Sequence, residues 1–257
     1  MYTRKNIMNF RAELSGGSRV NKSCIFFQLL LLLVGNTHCS ELEIKKIEKE
    51  LKRIVPVEVK PVVSVSPVSD VFEVIVGNKV FYVTEDLGYL FRGDLIDLKN
   101  KKNLTDIVRQ NLRAELFSSL DRSSLISFRA IESIASAEIY VFTDIDCTYC
   151  QKFHREVPEL NSAGVAVHYL AFPRKGMDSE GSKKAESVWC SENSPQALTD
   201  AKLGKKVQSK TCHNPIKEQF EMGIRIGVMG TPAVYASNGV ELGGYLSAQN
   251  VLNEITP

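Results

Sequence analysis

A pair of cysteines, Cys147-Thr-Tyr-Cys150, stands directly after a strongly apolar run and opens a segment of helical pattern. The run Glu138–Thr143 is rich in β-branched and aromatic residues and predicts a strand, whereas residues 148–161 predict a helix. A cysteine at the start of a helix meets unpaired N–H groups and the positive end of the helix dipole, which stabilise a thiolate. The order strand, Cys-x-x-Cys, helix therefore predicts redox chemistry at the turn between the two elements.

The spacing gives the two thiols different expected roles. Cys147 is the predicted nucleophile, because a thiol pKa of about 8.5 can fall to ~3.5–7.5 at a helix N-terminus. Cys150 follows one turn later and can resolve a mixed disulfide by attacking it from within the protein. An inert structural disulfide is the alternative, but closing so short a loop adds little chain-entropy stability.

Two cofactor interpretations of the pair fail on residue type. A c-type haem attachment needs histidine directly after the second cysteine, where this chain has Gln151. A zinc site needs two further ligands, and His154 on the same predicted helix supplies one without a second pair at matching spacing. The sequence therefore predicts neither a metal nor a cofactor.

Two later cysteines, Cys190 and Cys212, lie in a stretch of helical pattern and have no Cys-x-x-Cys relation. A disulfide between them would close a loop of roughly twenty residues and contribute about 3 kcal/mol in the chain-entropy model. A structural disulfide is the favoured interpretation. The alternative is a second redox relay, although neither cysteine occupies a clear helix start.

The segment Gly230-Thr-Pro-Ala-Val234 comes well after the cysteine pair and directly before a predicted hairpin strand. In thioredoxin-like folds a cis-proline at the start of a strand faces the Cys-x-x-Cys, and its neighbour's backbone can pair with an extended substrate chain. The position of Thr231 and Pro232 predicts this role. The alternative is a trans proline that only begins an edge strand.

The first thirty-nine residues differ in composition from the rest of the chain. Residues 1–22 carry five basic side chains and one acidic one, and a short apolar run follows at 24–35. This is the layout of a secretory signal peptide, and the run is shorter than the ~20 residues that span a bilayer. We expect cleavage before Ser40, with an uncleaved anchor or a lipoprotein site at Cys39 as alternatives.

Export changes what the charge and the cysteine content imply. The whole chain of 257 residues has a formal net charge of +2, with 32 basic and 30 acidic side chains and six cysteines. Without residues 1–39 there remain 27 basic and 29 acidic side chains and four cysteines. Neither balance makes a case for a nucleic-acid-binding surface. An even number of cysteines in an oxidising compartment indicates disulfide chemistry.

Three segments are predicted after the signal peptide. Residues 40–102 form a small module that buries little apolar surface, so we expect a second copy to cover its sheet edge. Residues 103–122 begin with the capping residue Asn103 and predict a helix, which is either a linker or packed core. The first module contains an amphipathic helix at 40–54, β-rich runs over Val62–Ser66, Val71–Val76 and Lys79–Thr84, a Gly77-Asn78 hairpin turn and a short strand within 88–93.

Residues 123–257 are the third segment, in which strands and helices alternate. Their order predicts an α/β sandwich around a small mixed sheet. After the cysteine pair come a strand over Val165–Ala171, a mostly helical stretch over 178–226 with breaks near Ser194-Pro195 and Gly204, a hairpin around Asn238-Gly239 and a helix over 247–255.

Several segments together resemble the DsbC/DsbG family of periplasmic disulfide isomerases. The resemblance implies a C-terminal thioredoxin-like domain with a helical insertion, a small cystatin-like α+β N-terminal domain for dimerisation, and a linker helix between them. The matching segments are Phe142-Thr-Asp-Ile-Asp-Cys-Thr-Tyr-Cys150, Tyr169-Leu-Ala-Phe-Pro-Arg174, Trp189-Cys190, Gly230-Thr-Pro-Ala-Val234 and, for the N-terminal module, Phe81-Tyr-Val-Thr84 with the region of Gly93.

The resemblance also implies a role for each matching residue. Two departures concern the active pair: its central dipeptide is Thr-Tyr where relatives have Gly-Tyr or Pro-Tyr, and Asp146 precedes the nucleophile. That acid would raise the thiol pKa if it approached the sulfur, or it points to solvent. The implied roles are Cys147 as nucleophile, Cys150 as resolving cysteine, Thr231 and Pro232 with Thr148 and Tyr149 as substrate-binding residues, and Cys190–Cys212 as the structural bridge.

The implied activity is the isomerisation or reduction of non-native disulfides in misfolded exported proteins. The protein would be a periplasmic homodimer without stable membrane insertion. Its site must stay reduced in an oxidising compartment, which implies a membrane-bound thiol reductase of the DsbD type as electron donor. The alternative is a DsbG-like reductase of single oxidised cysteines that also acts as a holdase chaperone.

Overall fold

The computed structural model describes residues 35–54, 60–130 and 135–255. The chain divides into two compact units, Met1–Val55 and Pro56–Pro257. Most of the predicted signal segment, residues 1–34, lies outside the described residues. In the first unit, helix α1 (Gly35–Ile54) confirms the helix predicted over 40–54. No helix within the described ranges is long and apolar enough to cross a membrane.

The second unit begins with a four-stranded antiparallel sheet whose strands are neighbours in chain order. The predicted hairpin is confirmed, since Val76 pairs with Lys79 and Gly77 has the positive φ of 64° that such a turn favours. The strands are β1 (Val62–Val65), β2 (Val71–Val76), β3 (Lys79–Thr84) and β4 (Leu90–Phe91).

A two-stranded ribbon follows, formed by β5 (Ile96–Asp97) and β6 (Lys102–Asn103). This ribbon was not predicted, because its sequence carries neither a hydrophobic period nor a turn dipeptide. Its last residue leads directly into the next helix.

Helix α2 (Leu104–Ser118) starts at the predicted cap, where the Asn103 side chain accepts a hydrogen bond from the backbone N–H of Asp106 at 2.9 Å. Phe117 of this helix is fully buried and stacks on Tyr140, with the ring centroids 4.5 Å apart. Leu116 and Leu120, which belong to the predicted apolar stripe, are partly buried against the same core cluster. The helix therefore packs on the core.

The larger sheet is mixed, in agreement with the sequence. It has the order β11 (Glu241–Gly243), β10 (Ala233–Ala236), β8 (Ala137–Thr143), β9 (Val165–Ala171) and β7 (Ile126–Phe128). Strands β8 and β9 pair in parallel, and the other neighbours pair antiparallel. The three-residue β7 was not predicted. Every residue of β9 is buried, as expected for a central strand with both faces covered.

The domain has five helices within the described residues. One lies between β8 and β9, three form an insertion between β9 and β10, and one follows β11. The predicted break near Gly204 is confirmed, since this residue adopts a φ of 77°, but the break is longer than predicted and extends over 203–215 as a polar run without apolar period. The helices are α3 (Thr148–Ser162), α4 (Glu180–Trp189), α5 (Ser194–Lys202), α6 (Ile216–Ile226) and α7 (Ala248–Ile255).

The four cysteines of the second unit occur as two different pairs. Cys190 and Cys212 form a disulfide, which joins the end of α4 to the non-helical segment before α6. Cys147 and Cys150 are buried free thiols. The covalent bridge thus fixes the inserted helices, and the free pair remains available for chemistry.

Candidate active site

The two free thiols lie at the junction of β8 and α3. Cys147 is the N-cap residue of α3, and its Sγ accepts a hydrogen bond from the backbone N–H of Cys150 at 3.4 Å. Both side chains are nearly enclosed, with Cys147 only 2% exposed and Cys150 1% exposed. The helix end therefore directs an N–H donor at the first sulfur, which favours its charged form.

The fold brings Thr231 to the same site from the other end of the domain. The Thr231–Pro232 peptide bond is cis, and the Cys147 thiol donates a hydrogen bond to the Thr231 carbonyl oxygen at 3.1 Å. Pro232 directly precedes β10, which pairs with β8 next to the cysteine turn. Thr148 and Tyr149 between the cysteines are both exposed. The cis-proline loop and the start of α3 thus meet at the Cys147 sulfur.

A buried carboxylate shapes the loop that leads to Cys147. Asp144 accepts hydrogen bonds from the backbone N–H of Asp146 at 2.9 Å and from the Arg174 side-chain Nε at 3.1 Å. This pair holds the Arg174 guanidinium near Cys147. Asp146 itself points outward, where its carboxylate forms an ion pair with Lys184 at 2.7 Å. Of the two orientations considered for this acid, the structure has the one away from the sulfur.

The environments of the two thiols shift their pKa values in opposite directions. Hydrogen bonding with the Cys150 side chain is the largest cause that lowers the pKa of Cys147, to about 5, and the Thr231 side chain, the backbone N–H of Cys150 and the Arg174 charge add to it. Burial raises the pKa of Cys150 well above its usual range, and its hydrogen bond to Cys147 adds to the rise. The pair therefore has one thiolate and one thiol at neutral pH.

A lysine and a histidine lie beneath the cysteines. Lys202 is 3% exposed, and its Nζ donates hydrogen bonds to Thr143 Oγ1 at 2.8 Å and to the Asp144 carbonyl oxygen at 2.6 Å. His154 is bonded to Tyr169 at 3.1 Å through Nδ1. Burial, with the Lys202 charge, lowers the pKa of His154 to about 4, so this imidazole is neutral near pH 7. His154 therefore belongs to a structural hydrogen-bond network. The described residues contain no cluster of three side chains that could hold a metal ion.

Four residues of this site had no role in the sequence prediction: Thr143, Asp144, Arg174 and Lys202. Three of them lie within the segments that resemble the family, but nothing in the local pattern indicates contact with a sulfur. Lys202 follows the fully buried Leu198 by four residues on α5, so the two share a helix face. A lysine on the apolar face of a helix was the signal that could have found it.

A reactive thiol at a helix N-terminus, a second thiol one turn later and a facing cis-proline loop define a thioredoxin-fold thiol-disulfide oxidoreductase. Comparison with known families agrees. Residues 130–256 match the thioredoxin-like domain, and residues 38–106 match the disulfide bond isomerase protein N-terminal domain.

Named relatives identify the family within this class. The thiol:disulfide interchange protein DsbC of Dickeya dadantii is 33% identical over 227 residues, which cover 88% of this chain and 91% of that protein. DsbC of Salmonella typhimurium is 33% identical over 71% of this chain and 75% of its own length. DsbC of Escherichia coli K12 is 32% identical over 70% and 74%. This chain therefore belongs to the DsbC family.

Membership confirms the fold class and the enzyme class expected from the sequence. The protein is a thiol:disulfide interchange protein with the oxidoreductase and isomerase activity of that family. The DsbG-like alternative is not favoured, because the relatives described above carry the name DsbC.

Proposed function

We propose that the protein rearranges non-native disulfides in exported proteins through Cys147 and Cys150. The observation that carries the proposal is the opposed pKa shift of two buried thiols at the head of α3. The Cys147 thiolate attacks one sulfur of a substrate disulfide, forming a mixed disulfide and releasing the other substrate sulfur as a thiolate. A different substrate thiol then displaces Cys147, and the substrate has exchanged one disulfide for another without net oxidation.

Cys150 provides the second exit from the mixed disulfide. Its thiolate attacks the Cys147 sulfur, a Cys147–Cys150 disulfide forms, and the substrate sulfur leaves with the electron pair and takes up a proton. The substrate is then reduced by two electrons and the protein is oxidised by two. A burial-raised pKa keeps Cys150 protonated until this step, so substrates have time to isomerise first.

We assign substrate binding to Thr231, Pro232, Thr148 and Tyr149. The exposed backbone beside the cis-proline can hold an extended substrate chain by strand addition. Tyr149 is 62% exposed, and its ring centroid lies 6.3 Å from that of Tyr245. These two rings offer an aromatic surface next to the reactive sulfur, which suits the apolar side chains of a misfolded protein.

Refolding of scrambled ribonuclease in a glutathione buffer tests the catalytic assignment. Cys147→Ser is expected to reduce the rate to that of the buffer alone, because Cys147 supplies the attacking thiolate and Cys150, the other free thiol of the described residues, is buried with a raised pKa. Cys150→Ser is the matched variant: it keeps the attacking thiolate, so partial isomerase activity and an accumulated mixed disulfide are expected. Full activity of Cys147→Ser would exclude the assignment.

We also propose that the N-terminal module forms a homodimer. The edge strand β4 carries Leu90 and Phe91, which are 53% and 51% exposed, and Tyr89 beside it is 70% exposed. An open edge with apolar side chains is suited to pairing with a second copy. Sedimentation equilibrium is expected to give twice the chain mass for the mature protein, and Phe91→Lys to shift it toward the monomer. A wild-type monomer at micromolar concentration would contradict this.

The proposed cellular setting is the periplasm, reached through the signal segment predicted at residues 1–39, with a membrane-bound thiol reductase as electron donor. Thiol trapping in cells tests both parts of the setting. Cys147 and Cys150 are expected to be mostly reduced, and to become oxidised when the reductase is deleted. A mostly oxidised pair in normal cells would instead indicate an oxidant.

A holdase chaperone activity is tested separately. Suppression of aggregation of a cysteine-free client by the Cys147/Cys150 double variant would establish that activity.

A further inference from the structure

Lys202 is a buried cation that forms no ion pair with a carboxylate of the described residues. It is the last residue of α5, and its Nζ contacts only neutral oxygens, Thr143 Oγ1 and the carbonyl oxygen of Asp144. A buried charge is costly unless an opposite charge compensates it. Among the groups whose negatively charged forms attract it, Cys150 has the largest effect, followed by Asp144 and Cys147. A thiolate at the cysteine pair is therefore the counter-charge that this lysine faces.

Thr143 connects the lysine to the resolving cysteine. An ammonium group has donors only, so Thr143 Oγ1 must accept the hydrogen bond from Nζ. The hydroxyl hydrogen of Thr143 then remains free to be donated, and Cys150 Sγ is the neighbouring group whose charged form it stabilises. The geometry thus connects the ammonium group to the Thr143 hydroxyl, and that hydroxyl in turn favours the charged form of Cys150.

We infer that Lys202 is a positioning residue for the resolving step: through Thr143 it stabilises the Cys150 thiolate that attacks the mixed disulfide. The inference rests on the proposed roles of Cys147 and Cys150. In the step, Cys150 loses its proton and its sulfur forms a bond to the Cys147 sulfur. The bond from Cys147 to the substrate breaks, and the substrate sulfur leaves with the electron pair. The proton lost by Cys150 ends on that departing sulfur, so no other reactant is needed.

The surroundings of Lys202 fit a charge that acts on the thiols. The charged and titratable groups that act on it electrostatically are Cys147, Cys150 and the neutral His154 on α3, and Asp144 with the outward-pointing Asp146 on the cysteine turn. Burial lowers the pKa of Lys202, whereas the attraction of these anions opposes that shift. Burial also raises the pKa of Cys150, with its hydrogen bond to Cys147, while Lys202 and then Thr143 oppose that rise. The two groups thus favour each other's charged forms.

Lys202→Met tests the inference, since it keeps the length of the side chain and removes its charge. Stopped-flow kinetics with a mixed disulfide on Cys147 should show resolution by Cys150 slowed severalfold, because loss of the positive charge leaves a smaller fraction of Cys150 as the attacking thiolate. The reduction potential of the pair should fall, by about 30 mV for a tenfold change in the equilibrium constant. Lys205→Met is the matched control, because that nearby lysine is 64% exposed and pairs with Asp200.

Two variants of Thr143 keep the inference testable if Lys202→Met does not fold. Thr143→Val removes the hydroxyl at similar volume and should slow resolution in the same way, whereas Thr143→Ser retains the hydroxyl and should restore it. Equal resolution rates and potentials in Lys202→Met and Lys205→Met, or in Thr143→Val and Thr143→Ser, would overturn the role of Lys202. A slower attack of Cys147 on the substrate in these variants would not overturn that role, because this attack is a different step, which is measured separately with Cys150→Ser combined with each substitution. Only an active Cys147→Ser would overturn the proposed function itself.

Discussion

Gly239→Ala is expected to destabilise the protein by about 3 kcal/mol or more, as measured by urea unfolding of the reduced and oxidised forms. Gly239 lies in the Asn238-Gly239 hairpin turn with a φ of 83°. A Cβ at this position would overlap the carbonyl oxygen of Gln110 and lie 2.7 Å from the backbone nitrogen of Ala114. Both atoms are helix backbone, which cannot move aside like a side chain. Overpacking costs about 1–3 kcal/mol, and a left-handed non-glycine residue adds about 1–2 kcal/mol.

Gly77→Ala is the matched control for this prediction. Gly77 occupies the other two-residue hairpin turn, has a φ of 64°, and nothing lies within 4 Å of its added Cβ. This variant carries the conformational strain without the overlap, so a loss of about 1 kcal/mol is expected. The difference between the two variants measures how tightly α2 packs on the turn. Similar losses in both would mean that α2 moves away from the turn at little cost.

Arg113 ties the same helix to the same turn. Its side chain is 5% exposed, its Nε donates to the carbonyl oxygen of Gly239 at 2.7 Å, and its guanidinium lies 5.6 Å from the ring centre of Tyr235. This hydrogen bond joins residues 126 positions apart in the sequence. A helix that served only as an exposed linker would not have a buried guanidinium bonded to a distant turn. The helix that the sequence left open between linker and core is thus integral to the core of the catalytic domain.

The sequence predicted those elements whose signal is local. The Gly77-Asn78 turn, the strand Val165–Ala171 and the helix that begins after Cys147 each carry a period or a turn dipeptide that reports their own structure. The cysteine pair was found for the same reason. The short strands Ile96–Asp97 and Ile126–Phe128 were missed, because only pairing with a neighbouring strand defines them and no period or turn dipeptide marks them.

The parts of the site that the sequence did not predict depend on long-range packing. Lys202 reaches Thr143 across 59 positions, and Arg174 reaches Asp144 across 30. Nothing in their own neighbourhoods requires these contacts. Likewise, Asp146 could raise the thiol pKa or point to solvent, and only its ion pair with Lys184 decided between them. Local patterns therefore indicated which atoms react, whereas the fold determines which charges surround them.

Alkylation of reduced Cys147 by iodoacetamide is expected to follow a titration with a midpoint near pH 5, with Cys150 unreactive at neutral pH. The thiolate is the reactive form, and the pKa of Cys147 is lowered to about 5. At pH 7 about 99% of Cys147 is then thiolate, against about 3% for an ordinary thiol of pKa about 8.5. The rate falls as the pH drops through 5, because protonation removes the nucleophile. Mass spectrometry of partially alkylated samples identifies which cysteine was modified.

Arg174→Met is the variant that separates the causes of this low pKa. Loss of the guanidinium should move the midpoint upward, but by less than loss of the Cys150 donor in Cys150→Ala, because hydrogen bonding from Cys150 is the larger cause. A wild-type midpoint near 8.5 would contradict the lowering of the Cys147 pKa by its surroundings in the site.

A low pKa of Cys147 also favours release: a sulfur with a low pKa is a good leaving group, so a substrate thiol can displace Cys147 readily from the mixed disulfide. An isomerase depends on that displacement, since each cycle must return Cys147 as a thiolate without oxidising the pair.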